Sequence, residues 1–384
     1  MKTKISRREM MRASVATMAL MMMERPLRVL GFEDPGSGDT LIPFLDSQPV
    51  DPNRAMCKWE DLTTWLTPTK QVFNVSHYGT PTVDTTNWKL DISGLVKKPR
   101  ALTLSDIRSR KRQDVIATLE CSGNGADVSF CGAIGNVRWT GTPLAPILKE
   151  CGIEKRATEV VFYGADEKAE TIRGKSYVQN FARALSPADT LRDDVILAYE
   201  MNGEPLTKEH GAPVRLIVPG WFGITWVKWL TRIELLDRRF ASKFMARDYV
   251  TLRGEERDGK TIWRETVVGQ IDVKSITARV VRRKDGSLRV SGAAWTDGTP
   301  LKSVELKIDD GAWQAVELDK KQRAKYAWTF WSFDWKNPPA GEHTIVSRAT
   351  DTEGRVQPAP DDPSIKLKRT YYESNQQWTR KIKI

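Results

Sequence analysis

The last third of the chain is punctuated by turn dipeptides at short intervals. Asp285-Gly286, Asp297-Gly298, Asp310-Gly311 and the Pro339–Gly341 bend separate runs rich in β-branched and aromatic residues. The runs are Ile276–Arg282, Leu288–Trp295, Ser303–Ile308, Trp313–Glu317, Ala327–Phe333 and His343–Thr350. Asp-Gly supplies the positive φ that tight reversals need, and runs this short leave no room for helices between them. The spacing predicts an all-β sandwich of the immunoglobulin-like kind. Its length of chain contains no cysteine, so an aromatic core with Trp295, Trp328, Trp331 and Trp335 must hold it.

Upstream the texture is different, and 384 residues exceed what one hydrophobic core usually serves. Strand-like runs at Trp88–Ile92, Asp114–Leu119, Glu159–Tyr163 and Val214–Val218 alternate with predicted helices at Ser105–Arg110, Pro143–Cys151 and Val178–Ala184. This is a mixed pattern without strict βαβ repetition, so the overall class is α+β. The change of texture between 255 and 268 sets the domains at 31–262 and 263–384, with 31–60 expected as an irregular surface arm. Residues 1–30 read as a signal segment. Ser6-Arg7-Arg8 approximates a twin-arginine pattern, and the apolar stretch Ala13–Met23 is too short to span a bilayer. The expected location is the periplasm, with the cytoplasm as the alternative if this segment is a basic amphipathic helix. No integral membrane span is expected.

The net charge of +11 raises nucleic acid as a partner, but basic residues are interspersed with 49 acidic ones and form no tract. An anionic ligand or an acidic partner accounts for the charge equally well, and nucleic-acid binding is not expected. Three histidines are too few for a multi-histidine zinc or copper site. Cys57, Cys121, Cys131 and Cys151 form no C-x-x-C pair and no haem-attachment motif.

Chemistry concentrates in three segments. In Thr118-Leu119-Glu120-Cys121-Ser122-Gly123-Asn124-Gly125 a β-run ends in a cysteine followed by a glycine-rich turn. A thiolate there can be a nucleophile or a soft metal ligand, and a buried cysteine can equally be plain packing. The stretch from Ala198 to Leu230 sets His210, Arg215 and Lys228 around a strand ending in Pro219-Gly220. Three such groups suit a phosphate-bearing ligand, or are ordinary charge beside a sheet. The third segment, Phe73–Pro81, carries His77 in a turn.

Together LECSGN, LAYEMNGEPL, HGAPVRLIVPG and VKWL resemble the molybdopterin-binding domain of the sulfite oxidase family. The β-rich tail resembles that family's dimerisation domain. The resemblance implies a molybdenum cofactor (Mo-molybdopterin) with Cys121 as the metal-ligating thiolate. It implies that His77, His210, Arg215 and Lys228 hold the pterin and its phosphate. Arg247-Asp248-Tyr249 matches the family's R-D-Y, which makes Tyr249 the expected catalytic hydrogen-bonding group. Arg369 is the expected third substrate arginine. The implied reaction is two-electron oxygen-atom transfer on sulfite or a related inorganic sulfur compound. Its electrons would pass to a separate acceptor, a c-type cytochrome, and the protein would be a homodimer.

Departures from the family are equally specific. Val75 stands where sulfite oxidases carry an arginine, and Ser122-Gly123-Asn124-Gly125-Ala126 replaces their A-G-N-R-R. A doubly charged oxyanion needs compensating charge once desolvated. A reductase of a neutral S- or N-oxide is therefore the alternative enzyme, and a non-catalytic cofactor-binding subunit the alternative outside enzymes.

Overall fold

The computed structural model describes Phe32, Gly36 and residues 38–47, 56–126 and 130–384. The expected signal segment lies outside them. Among the described residues no helix is long and apolar enough to cross a membrane.

The upstream region is built on two five-stranded sheets. One runs Arg215–Ile217, Ile196–Met201, Ile134–Pro143, Gln113–Glu120, with Glu204–Pro205 on the second of these. The other runs Arg100–Thr103, Lys89–Gly94, Leu230–Leu236, Glu159–Ile172, Lys175–Leu185, and its Lys89–Gly94/Leu230–Leu236 pair is parallel. Helix Leu104–Arg108 begins where expected because Thr103 and Asp106 cap each other's backbone reciprocally. Helix Leu144–Cys151 buries Leu144, Ala145, Ile147, Leu148 and Cys151 and stops at Gly152, whose φ of 72° is left-handed.

The predicted helix at Val178–Ala184 is instead part of strand Lys175–Leu185, paired along its length with Glu159–Ile172. Alanine favours helix locally, but Phe181–Leu185 is buried and its backbone groups find ladder partners. The arm also departs from expectation. Phe44, Cys57 and Trp59 are buried, and Thr40–Ile42 joins the downstream domain as an edge strand on Lys274–Arg282. The domain boundary expected at 262/263 falls inside the second strand of a hairpin, Val250–Arg257 with Lys260–Val267.

The downstream region consists of two sheets. One is Thr40–Ile42, Lys274–Arg282, Leu288–Trp295, Thr329–Trp335, Glu317–Leu318; the other is Gln314–Ala315, Leu301–Ile308, Glu342–Asp351, Thr379–Lys383. The expected run Trp313–Glu317 is thus divided between the sheets as two-residue fragments. At the expected turns Gly286 and Gly298 do take positive φ. The core of this β-rich region holds Val280, Val290, Leu306, Trp331 and Ile345. Trp295 and Trp328 are not in it. They pack with Trp59 and Trp65 in the upstream core, Trp59 and Trp328 centroids being 5.2 Å apart.

These tryptophans mark where the two regions are joined. The backbone N–H of Thr118 donates to the Tyr326 carbonyl, and the Trp328 N–H donates to Thr118 Oγ1. Two residues further along the same strand, Glu120 is fully buried and its Oε1 lies 2.6 Å from Lys274 Nζ. Trp295 Nε1 donates to its other oxygen at 2.8 Å, and Asn124 Nδ2 donates to Oε1 at 3.0 Å. Lys274 and Trp295 face one another across adjacent strands of the downstream sheet. That sheet therefore grips the residue before Cys121 and, through Asn124, the residue three after it.

Lys274→Met should destabilise the protein by about 3–5 kcal/mol, because it leaves the Glu120 carboxylate buried and unpaired. Adding Glu120→Gln should recover much of that loss. Denaturant unfolding of both variants measures it; equal stabilities for wild type and Lys274→Met would contradict the role given to this pair.

Candidate functional site

Cys121 stands where strand Gln113–Glu120 ends, and its own N–H donates to the Ala133 carbonyl at 2.9 Å. Behind it lies a cavity that gathers residues from several elements. Cys121, Tyr249, His77, His210, Arg215 and Lys228 all line it, so segments far apart in sequence meet in one place. Arg369 does not. It is exposed, its guanidinium lies 5.1 Å from the Trp263 ring centre, and its N–H donates to Leu252 O. The tail residues that do reach the site are its near neighbours Tyr371 and Tyr372.

The inner part of the cavity is basic. Arg215 projects from strand Arg215–Ile217, with Nη1 and Nη2 donating to the His210 and Trp226 carbonyls and its plane near Trp139. Its Nε is buried without a partner. Lys228 Nζ donates to Asn74 Oδ1 at 2.7 Å and to the Glu209 carbonyl. Gly211 lets these cations approach: its φ is 103°, and a Cβ there would lie 3.0 Å from Lys228 Cβ and 3.2 Å from Arg215 Cβ. Burial lowers the Arg215 pKa to about 9. Burial, then the neighbouring Arg215, lowers Lys228 to about 7. The same two causes bring His210 down to about 4, and its Nδ1 is 2.8 Å from Thr207 Oγ1. Among the described residues Asp166 is the one carboxylate in the lining, and burial raises it to about 6. So much buried basicity with so little counter-charge is what an anionic ligand would relieve.

At the other end, Tyr249 Oη is hydrogen-bonded to His77 Nε2. Burial, then Lys228 and Lys243, pushes His77 down to about 4, and burial raises Tyr249, so both are neutral at pH 7. Tyr249 has φ of 60°, an uncommon conformation for a bulky residue and one held here by ring packing against Tyr372 at 4.8 Å. Burial also raises the Cys121 thiol pKa, opposed by a hydrogen bond from the Gly123 backbone. A bare thiol there is a poor nucleophile, whereas a bound metal ion would hold it as thiolate. Among the described residues no three or more His, Cys, Asp or Glu converge on a possible metal. A metal at Cys121 must bring most of its ligands with it. Partnerless Arg215 Nε and Ser122 Oγ, both in the cavity lining, also fit an incoming polar group.

Sequence reasoning missed several residues. Asn74, Ser122 and Asp166 carry no signal of their own, although Asn74 and Ser122 sit inside the segments singled out. Tyr371-Tyr372 was legible only as an aromatic pair in a polar tail. Glu120 and Lys274 are 154 residues apart, and nothing local joins them.

Residues 77–244 match the family described as oxidoreductase molybdopterin binding domain, and residues 262–374 match the Mo-co oxidoreductase dimerisation domain. Mitochondrial sulfite oxidase of Drosophila melanogaster is 33% identical over 324 residues, 77% of this chain and 55% of that protein. Sulfite oxidase of Arabidopsis thaliana is 30% identical over 338 residues, covering 77% of this chain and 83% of that protein. This chain spans just over half the length of the Drosophila melanogaster and Homo sapiens enzymes. The sulfane dehydrogenase SoxCD of Paracoccus pantotrophus has a similar structure, with a TM-score of 0.72 and 27% identity over 91% of this chain and 90% of that one. The chain belongs to the sulfite oxidase family of molybdopterin oxidoreductases.

Proposed function

We propose that the protein binds a molybdenum–molybdopterin cofactor, oxidises a sulfur compound and passes the electrons to a separate c-type cytochrome. The observation that carries this reading is the cationic cavity lined by both the partnerless Arg215 Nε and Cys121. Arg215, Lys228 and His210 hold the anionic part of the cofactor; Cys121 supplies a thiolate to the metal. The bound cofactor supplies two-electron oxygen-atom-transfer chemistry. Tyr249 presents a neutral hydroxyl beside Cys121, able to donate a hydrogen bond to a substrate oxygen or hold a proton at Oη. Neutral His77 orients that hydroxyl and presents Nε2 as the proton's other station. Arg369 has no part in this reading, because its guanidinium is engaged with Trp263 outside the cavity.

Cys121→Ser should leave the fold intact and cut substrate-dependent cytochrome c reduction far beyond the roughly 10–100-fold typical of a change outside the metal's ligands. A hydroxyl is a harder and far less acidic ligand than a thiol. Wild-type turnover in this variant, or purified wild type without molybdenum, would end the reading.

The downstream two-sheet region is read as an immunoglobulin-like sandwich carrying a twofold dimer, the commonest symmetry of homo-oligomers. Sedimentation should show a dimer at micromolar concentration, and a monomer there would refute it.

The periplasm is the inferred location, supported by Ser6-Arg7-Arg8 and the short apolar stretch after it. Replacing Arg7 and Arg8 with lysine should leave active enzyme in the cytoplasmic fraction. Unchanged export would refute the twin-arginine assignment.

A further inference from the structure

Arg183 lies in strand Lys175–Leu185 and is fully buried. Burial lowers its pKa to about 10, so the guanidinium stays charged at pH 7. A buried cation is costly unless something is gained by keeping it. This one ends on two main-chain carbonyls: Nη1 donates to that of Phe244, and Nη2 donates to that of Val268 at 2.7 Å. The carboxylate whose charge acts on it is that of Glu373, itself buried. A single peptide group stands between the two charges. Its carbonyl, of Val268, faces Arg183, and its N–H, of Gly269, donates to Glu373 Oε1 at 3.0 Å. The peptide dipole thus points its oxygen at the cation and its hydrogen at the anion, and each charge strengthens the hydrogen bond of the other.

This array touches the site on both sides. The Val268 N–H donates to the Tyr249 carbonyl at 2.9 Å. Phe244 comes five residues before Tyr249, and its ring packs on His77 at 4.9 Å. Phe181, two positions before Arg183 in the same strand, stacks on His77 at 5.2 Å. At the other end, the Glu373 N–H donates to the Ser122 carbonyl at 2.7 Å, next to Cys121, and Arg253 Nη2 lies 3.1 Å from Glu373 Oε2. Tyr249 has φ of 60°, which persists only where its surroundings hold it. Tyr372 packs on its ring, and Val268, gripped by Arg183, holds its carbonyl.

We propose that Arg183 is a positioning residue for Tyr249. By fixing the carbonyls of Phe244 and Val268 it holds the Tyr249 backbone, so that the hydroxyl meets His77 Nε2 in the space shared with Cys121. Glu373 completes the hold from the far side of the 268–269 peptide and ties it to the turn after Cys121. The proposal rests on the reading that the Tyr249 hydroxyl takes part in turnover.

The test uses the full-length, molybdenum-loaded protein with Arg183→Gln, Arg183→Lys, Tyr249→Phe and the Arg183→Gln/Tyr249→Phe double variant. Hydrogen exchange at the Val268 amide should be about tenfold faster in Arg183→Gln, the scale of one hydrogen bond to a charged group. With sulfite and ferricyanide as probes, Arg183→Gln should lower kcat by about 10-fold or more with little change in KM, as misplacement of a reacting group by under about 1 Å does. In the Tyr249→Phe background the same change should alter kcat less than about twofold, because the group it positions is gone. Arg183→Lys, which keeps the charge toward Glu373, should lie between wild type and Arg183→Gln in both readouts. A merely structural role would give the same loss in both backgrounds, and that additivity overturns the proposal. Unchanged exchange at Val268 in Arg183→Gln overturns it as well. Tyr249→Phe turning over sulfite as fast as wild type would refute the catalytic reading of Tyr249 and the proposal with it. If Arg183→Gln does not fold, Arg183→Lys alone and with Tyr249→Phe decides by the same comparison.

Discussion

The buried ion pair of Glu120 and Lys274 is the contact on which the geometry of the site depends. A carboxylate with no solvent exposure is tolerated only when its oxygens are satisfied, and here Lys274, Trp295 and Asn124 satisfy them. Its place in sequence gives it consequence, because Cys121 follows directly. Asn124 closes the turn by accepting the Ala133 N–H on its side-chain oxygen and lending its own carbonyl to Lys274. The loop that presents the thiol is thus fixed from both sides, partly by residues more than 150 positions away. Such a pair adds little net stability over well-packed apolar residues. What it supplies here is register between two regions of the chain.

Electrostatics divides the space around that thiol. On one side buried basic groups depress one another's pKa, and Lys228 and His210 both fall because of burial and then Arg215. Held together without an anion, these groups are costly. The other side is aromatic and uncharged among the described residues. One wall between the two is common to both: Phe73, Asn74, Val75, Ser76, Cys121, Ser122 and Tyr249. A single short segment, 73–76, therefore borders both spaces.

Much of this was legible in the residues themselves. The turn dipeptides, the capped helix at Leu104–Arg108 and the β-runs flanking Cys121 are decided by local propensity and pattern, which need no distant partner. The motif segments carried Cys121, His77, His210, Arg215 and Lys228 as candidate groups, whereas Tyr249 came only with the family resemblance. Val178–Ala184 misled, since alanine-rich sequence prefers helix until a neighbouring strand offers a ladder.

The sequence by itself determined which residue types were available and which secondary structure most segments took. It also determined that Val75, Gly125 and Ala126 bring no positive charge to the site. Only the tertiary structure decided that Tyr371 and Tyr372, and not Arg369, line the space beside Cys121 and Tyr249. It alone decided that Trp295 and Trp328 seal the junction and not the downstream core, that an arm strand crosses to the downstream sheet, and that Lys274 neutralises Glu120. The reason is physical. Propensities and turns act over a few residues, whereas burial, charge pairing and ring stacking act between neighbours in space, and chain folding makes those neighbours from residues far apart in sequence.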